Sequence, residues 1–295
     1  MSLPNFLLVG AAKAGTTSLY YYLNQHPDIF ISKLKEPKYF SSQVLDLPHQ
    51  GIGDFHVDRY RVRDYEEYKK LFEGRTEKMI GESTVEYLYY HDKIKDLIKK
   101  ELGDVKIIII LRNPVDRAFS AYSNLRRDSR ENLSFREALE AEEDRISKNW
   151  DMLWAYKKSS LYYEQVKTFN ESFSNVLVLN QDDLKNDTPG VIRKAFEFLG
   201  VSTDAEIDLG VEHNPSGVPK NVLSRLVLSR SNPVSPYIRE MAKFMVPRNV
   251  LERYAKKNLS KILLEDADRE YLKPQFKEDI LKLQEYLGRD FSSWT

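Results

Sequence analysis

Cysteine is absent from the sequence. That removes disulfides, thiolate catalysis and cysteine zinc sites together, and it fits a cytoplasmic chain. Net charge is absent as well: 45 Lys and Arg residues balance 45 Asp and Glu. A general nucleic-acid binder usually carries a basic excess, so that class is disfavoured. A local basic pocket for one phosphorylated ligand is not. Long apolar runs are missing too. The longest, Ile107 to Leu111, has strand length and falls far short of the ~20 residues that a membrane helix needs. The N-terminal stretch has neither the basic start nor the long apolar core of a signal peptide. There is no low-complexity linker and no internal repeat, so one domain over residues 1–295 is expected. At this length a core needs no staples, because roughly three quarters of the unfolded chain's surface becomes buried.

What is present alternates. Phe6-Leu7-Leu8-Val9 before Gly10 predicts a buried strand, and Thr17 to Asn24 a helix that stops before Pro27. Residues 41–64, punctuated by Pro48, Gly51 and Gly53, predict a long loop. A short helix over Tyr65–Phe72, a strand over Lys78–Glu82 and a helix over His91–Glu101 follow. Val105 to Leu111 is the strongest strand, a β-branched run of the kind covered on both faces in parallel sheets. Pro114 suits the first turn of a helix running towards Arg126. Ser134 with Glu137 three residues on predicts a capped helix to about Ser147. A helix over Leu161–Phe169, a strand over Val176–Leu179 and a helix from Pro189 to near Gly200 come next. Residues 207–221 read as loop and the remainder as mostly helical, with Ile280, Leu283 and Leu287 on one face. Strands alternating with helices imply an α/β layered fold with a mainly parallel sheet and a helical C-terminal part.

Two strand–helix junctions carry chemistry. Gly10-Ala11-Ala12-Lys13-Ala14-Gly15-Thr16-Thr17-Ser18 joins the first strand to the first helix. Small residues let the backbone wrap an anion, and free N–H groups at a helix start point at it. Lys13 supplies a point charge. Thr16, Thr17 and Ser18 supply donors, and Ala14 and Gly15 complete the cradle. A triphosphate-binding loop reads G-x-x-x-x-G-K-[ST]. Here Thr16 follows Gly15 and the lysine lies two positions before that glycine. The run Ile107 to Leu111 ends in Arg112 rather than a metal-binding Asp. Both departures weaken a nucleotide-triphosphate reading. Arg112 sits at the carboxyl end of its strand, the edge where open α/β sheets bind ligands, and its planar fork suits a phosphate. Ser120, about two turns into the following helix, reaches for the same group. A plainer role for Arg112 is an ion pair with Asp116.

Together these stretches resemble the sulfotransferases that use 3′-phosphoadenosine 5′-phosphosulfate (PAPS). The bacterial branch related to the heparan sulfate sulfotransferases is the most similar. The resemblance implies a P-loop-like three-layer fold, with helices on both faces of the central sheet. It implies that the K-x-G-T-[ST] loop, here Lys13 to Thr17, grips the 5′-phosphosulfate. It implies that the R-[ND]-P-x-[DE]-R-x-x-S unit, here Arg112 to Ser120, grips the 3′-phosphate. Glu36-Pro37-Lys38-Tyr39-Phe40 is similar to the segment whose carboxylate is the family's usual base, so Glu36 joins Lys13 as an implied catalytic residue. Ser160-Leu161-Tyr162 resembles the lead-in to a helix beside the nucleotide. His213 to Lys220 resembles a late loop whose Gly217 and Lys220 close over the cofactor. No metal is implied, and the product is adenosine 3′,5′-bisphosphate. One position departs. Many heparan-type members carry lysine in an E-K-[ST] segment, and here Glu82-Ser83-Thr84 puts Ser83 at that place. This weakens any transfer of glycan specificity and leaves Lys13 as the main cation at the transferring group.

Plainer roles stand beside these. Glu36 alone reads as a surface carboxylate paired with Lys33, Lys35 or Lys38. A histidine base is the alternative, from His49 or His56 in the long loop. Glu82 either orients Lys13 or Ser83 or fills the core edge. Tyr87, Tyr89 and Tyr90 are candidates for an acceptor cleft, although most tyrosines fill core or half-buried surface. The expected partner is an acceptor bearing a hydroxyl or amine: a small molecule, a lipid, a carrier-bound acyl chain or a sugar. Two rivals remain. A P-loop small-molecule kinase needs the missing lysine and Asp. A non-catalytic nucleotide-binding protein keeps the phosphate loops without needing Glu36.

Overall fold

The computed structural model describes residues 2–210 and 262–295, with the backbone of the two short strands Val218–Pro219 and Leu259–Ser260. At its centre is a five-stranded sheet of β1 (Phe6–Gly10), β2 (Ile29–Ile31), β3 (Met79–Ser83), β4 (Lys106–Leu111) and β5 (Val176–Asn180), in the order β2-β3-β1-β4-β5. Every neighbouring pair is parallel. Phe6 to Val9 and Ile107 to Leu111 are wholly buried. Apolar side chains on both faces of these strands need cover on both faces, which is why helices flank the sheet.

The helices run in chain order. They are α1 (Thr16–Leu23), α2 (Tyr39–Ser42), α3 (Phe55–Asp58), α4 (Tyr65–Lys70), α5 (His91–Leu102) and α6 (Pro114–Arg127). Then come α7 (Phe135–Glu140), α8 (Glu142–Ser147), α9 (Tyr163–Ser172), α10 (Gln181–Asn186), α11 (Thr188–Leu199) and α12 (Asp266–Leu287). In α12, Ile280 and Leu283 are buried against the core and Leu287 is packed at its edge. No helix among the described residues is long and apolar enough to cross a membrane.

Three local expectations change. Ile29–Ile31 forms an edge strand, too short to leave an alternating signature. The helix predicted from Ser134 to Ser147 breaks at Ala141 into α7 and α8, although its capping box is present as expected. The loop 41–64 contains the single turn α3, and α2 overlaps its start.

Strand order decides where a ligand sits. From β1 the chain builds β2 and β3 on one side of β1, and β4 and β5 on the other. A crevice therefore opens at the carboxyl ends of β1 and β4, the switch point of an open α/β sheet.

Candidate active site

Two junctions meet at that crevice. After β1, Gly15 adopts the left-handed conformation (φ 96°), and no side chain caps α1 behind it. The first turn of α1 also holds no acid. Its leading N–H groups and its positive dipole end are thus left to a ligand. Lys13, Gly15, Thr16, Thr17 and Ser18 line the cavity here. Ala14 does not. It is fully buried and its N–H donates to the Ala11 carbonyl at 3.2 Å, which tightens the loop from inside.

After β4, α6 is closed by its own sequence. The Asn113 side chain accepts from the N–H groups of Val115 and Asp116, and Pro114 occupies the first turn. The anion-binding group offered here is the Arg112 side chain. Its Nη1 donates to the Lys13 carbonyl at 3.1 Å, which ties the two junctions together. Its buried Nε has no partner among the described residues. The expected pairing with Asp116 is not made: Asp116 accepts from Arg269 of α12 at 2.7 Å. Ser120 lines the cavity as predicted, and Ser123, Asn124 and Arg127 continue the same helical face. Tyr162 is not in the cavity wall. It is wholly buried behind Arg112, close to that residue's backbone, with burial pushing its pKa upward.

Lys13 is unusual in two ways. Its backbone is left-handed (φ 70°). Its buried ammonium donates to Asn124 Oδ1 at 2.9 Å, an oxygen it shares with Arg127. Burial, then Arg127 and Arg112 nearby, lower its pKa to about 7, against weaker support from Asp128 and Glu36.

Glu36 lines the opposite wall. Its N–H donates to the Ser83 carbonyl at the end of β3, which fixes the segment against the sheet. Its carboxylate lies 3.3 Å from Lys35 and 3.6 Å from Lys38, so the pairing role holds alongside the cavity position. Glu36 (φ 63°) and Lys38 (φ 60°) are both left-handed. Lys13, Glu36 and Lys38 thus all face the cavity in a conformation that β-carbons disfavour, and such outliers gather at functional sites.

Behind Glu36 runs a chain of buried charges. The Lys38 ammonium lies 2.7 Å from Glu86, and Glu86 lies 2.6 Å from Arg61. Arg61 reaches Asp58 at 2.9 Å, and Asp58 reaches His49 at 2.8 Å. Burial opposes the Glu86 charge, yet Lys38 and Arg61 hold its pKa at about 2. Burial likewise opposes a charged His49, and Asp58 keeps its pKa raised. His49 belongs to this chain and not to the cavity, whereas His56 lines the wall. Glu82 approaches neither Lys13 nor the Ser83 side chain. It accepts from the Tyr68, Tyr87 and Thr84 hydroxyls, and burial lifts its pKa to about 7. Thr84 Oγ1 in turn accepts from the Lys38 N–H at 3.3 Å, so Glu82 steadies the Glu36 segment indirectly.

The cavity enclosed by these walls measures about 680 Å³. Tyr87, Tyr89 and Tyr90 do not line it; Tyr87 is core, held by Glu82. Gly217 and Lys220, with His213, lie outside the described residues. Lys38, Glu86, Asp151, Asn124 and Arg127 are among the wall residues that sequence reasoning missed. For Asn124 and Arg127 a signal existed: they follow Ser120 at four and seven residues, on one helical face.

Two adjacent strand ends thus bring groups suited to an anion, the open start of α1 and the Arg112 side chain, into one cavity. The Sulfotransferase domain family matches residues 3–222. The chain superposes on a crystal structure of a sulfotransferase from Alicyclobacillus acidocaldarius with TM-score 0.79 and 36% identity, covering 100% of this chain and 99% of that one. It is 35% identical over 122 residues to the membrane-associated sulfotransferase kil1 of Dictyostelium discoideum (41% of this chain, 23% of that protein). It is 30% identical over 216 residues to the bifunctional heparan sulfate N-deacetylase/N-sulfotransferase 3 of Homo sapiens (68% of this chain, 22% of that protein). The chain spans about a quarter of the length of the curated relatives it matches. The chain belongs to the sulfotransferase family.

Proposed function

We propose that this chain moves the sulfuryl group of PAPS to an acceptor hydroxyl or amine, as one domain, releasing adenosine 3′,5′-bisphosphate. The observation that carries this reading is the pair of anion grips on adjacent strand ends, one an uncapped helix start with Lys13 and the other Arg112 with an unpartnered Nε. A nucleotide with anionic groups at both its 5′ and 3′ positions fits that pair. In this reading Lys13 and the N–H groups from Gly15 to Ser18 hold the 5′ end, while Arg112 and Ser120 hold the 3′-phosphate. Gly217 and Lys220 are proposed, from the family motif alone, to close over the nucleotide.

When bound, PAPS supplies the sulfuryl group: a bond from the acceptor oxygen to sulfur forms as the bond from sulfur to the 5′-phosphate oxygen breaks. Glu36 accepts the acceptor's proton, which needs hydrogen-bond reach to that hydroxyl. Lys13 and the α1 N–H groups face the charge that grows on the leaving oxygen, and preorganised groups of this kind usually supply the largest catalytic contribution. An anion arriving beside Lys13 favours its charged form, because the Coulomb energy then raises its lowered pKa.

Thermal stability with added ligand tests this. Adenosine 3′,5′-bisphosphate at one hundred times its Kd stabilises the fold by about 2.7 kcal/mol. A rise in Tm with the bisphosphate, absent with ATP and magnesium, is the expected result. A rise only with ATP and magnesium restores the kinase. Glu36→Gln is expected to keep the bisphosphate response and lose about 100-fold to 10,000-fold in turnover; unchanged turnover moves the base elsewhere, with His56 next in line.

A further inference from the structure

Part of the cavity wall has a character of its own. Val57 and Tyr60 from α3 and the turn after it, and Met152 and Leu153 from the turn at 152–154, make it apolar. Its lysines are already engaged: Lys35 with Glu36 at 3.3 Å, and Lys38 with Glu86 at 2.7 Å. Little cationic capacity is left there for a sulfated or carboxylated chain.

Near these residues lies a carboxylate that is unsatisfied among the described residues. Asp151 lines the cavity and is 2% exposed. Its N–H donates to Asp54, and its Oδ1 accepts from the Leu153 N–H at 3.0 Å. Its Oδ2 is buried and has no hydrogen-bond partner among the described residues. An unpaired buried acceptor costs the desolvation of that atom unless something fills it. Asp151 also lies near enough to Lys38 to raise its pKa.

We propose that Asp151 recognises the acceptor: its Oδ2 takes a hydroxyl or ammonium donor of a molecule whose apolar body lies against Val57, Tyr60, Met152 and Leu153. The inference rests on the sulfotransferase reading and on Glu36 as base, and it narrows the acceptor. The class is an alcohol or phenol with an apolar frame and a second donor, not a polyanionic glycan.

The test uses two phenols of nearly one shape, tyramine and 4-ethylphenol, which differ in an ammonium. Sulfation of each from PAPS is measured for the parent and for Asp151→Asn, which keeps an oxygen for the Leu153 cap and loses the charge. The parent is expected to favour tyramine in kcat/KM. The ratio of the two values is expected to fall about tenfold or more in Asp151→Asn, the size of a lost charged hydrogen bond. A purely structural Asp151 would lower both phenols together and leave the ratio alone, which overturns the proposal. A parent with no preference for tyramine overturns it without any variant. If the bisphosphate stabilises the parent but neither phenol is sulfated, the acceptor class falls while the sulfotransferase reading stands. If the bisphosphate does not bind, both fall.

Discussion

The two strand–helix junctions at the crevice solve one problem in opposite ways. After β1, the helix start is left open: Gly15 offers no capping side chain and no acid sits in the first turn of α1. After β4, the helix start is shut: Asn113 caps it, Pro114 removes one N–H, and Asp116 adds a negative charge. The open junction presents backbone donors and a dipole, while the shut one presents the Arg112 side chain. Main-chain donors are rigid and read charge; a guanidinium fork reads a planar pair of oxygens at a set distance. Under the proposed reading, the difference suits two phosphates with different tasks, one at the reacting end and one that only anchors.

Closing the open junction is the hardest way to test this contrast. Gly15→Asp places a carboxylate where the anion is expected. A β-carbon there meets only ordinary contacts at 3.5 Å, so crowding is minor, although the positive φ strains the backbone. Bisphosphate affinity is expected to fall more than about a hundredfold by titration calorimetry, the loss of at least two charge-assisted contacts. Blunting the other junction comes next. Arg112→Ala is expected to weaken adenosine 3′,5′-bisphosphate about tenfold to a hundredfold, and to leave adenosine 5′-monophosphate nearly unaffected. Equal losses for both nucleotides would erase the division of labour.

A pH series separates the junctions with a smaller effect. Lys13 has its pKa near 7 in the empty site, and a neighbouring anion raises it. Binding above pH 7 therefore takes up a proton, and affinity falls as pH rises, by at most about tenfold per unit. Measured between pH 7 and 9, above a phosphate's second pKa of about 6, the slope belongs to the protein. Lys13→Met should flatten it, whereas Arg112→Ala, which removes one of the charges that lower the Lys13 pKa, should keep the slope and shift it to higher pH. The smallest effect is expected from opening the shut junction. Asn113→Ala removes the cap at a cost of about 1 kcal/mol, or roughly 2–4 °C in Tm, with bisphosphate affinity hardly changed.

Much of this was legible in the residues. The strands at 6, 105 and 176 announce themselves because buried parallel strands are continuous apolar runs. The two junctions are local motifs, so Lys13, Thr16, Thr17, Arg112 and Ser120 could be named from spacing. What depended on the fold was hidden. Lys38 and Glu86 stand 48 residues apart, and nothing in either segment tells that they meet. Tyr162 sits in a familiar segment, yet packing buries it wholly and leaves it out of the cavity wall. Asp151 carries no local motif, and only the folded chain shows it buried and lining the cavity.

The buried chain from Lys38 to His49 constrains how this half of the molecule can change over time. Each member is neutralised by its neighbours, so a lone replacement leaves a stranded charge, at a cost of about 3–5 kcal/mol. A paired replacement by apolar groups of similar volume is close to neutral. Mutational paths through Glu86, Arg61 and Asp58 therefore advance in coupled steps, and libraries that vary one position at a time will find the region frozen. The open loop around Lys13 has no such lock, so new donors can arise there singly while the acceptor side waits for matched partners.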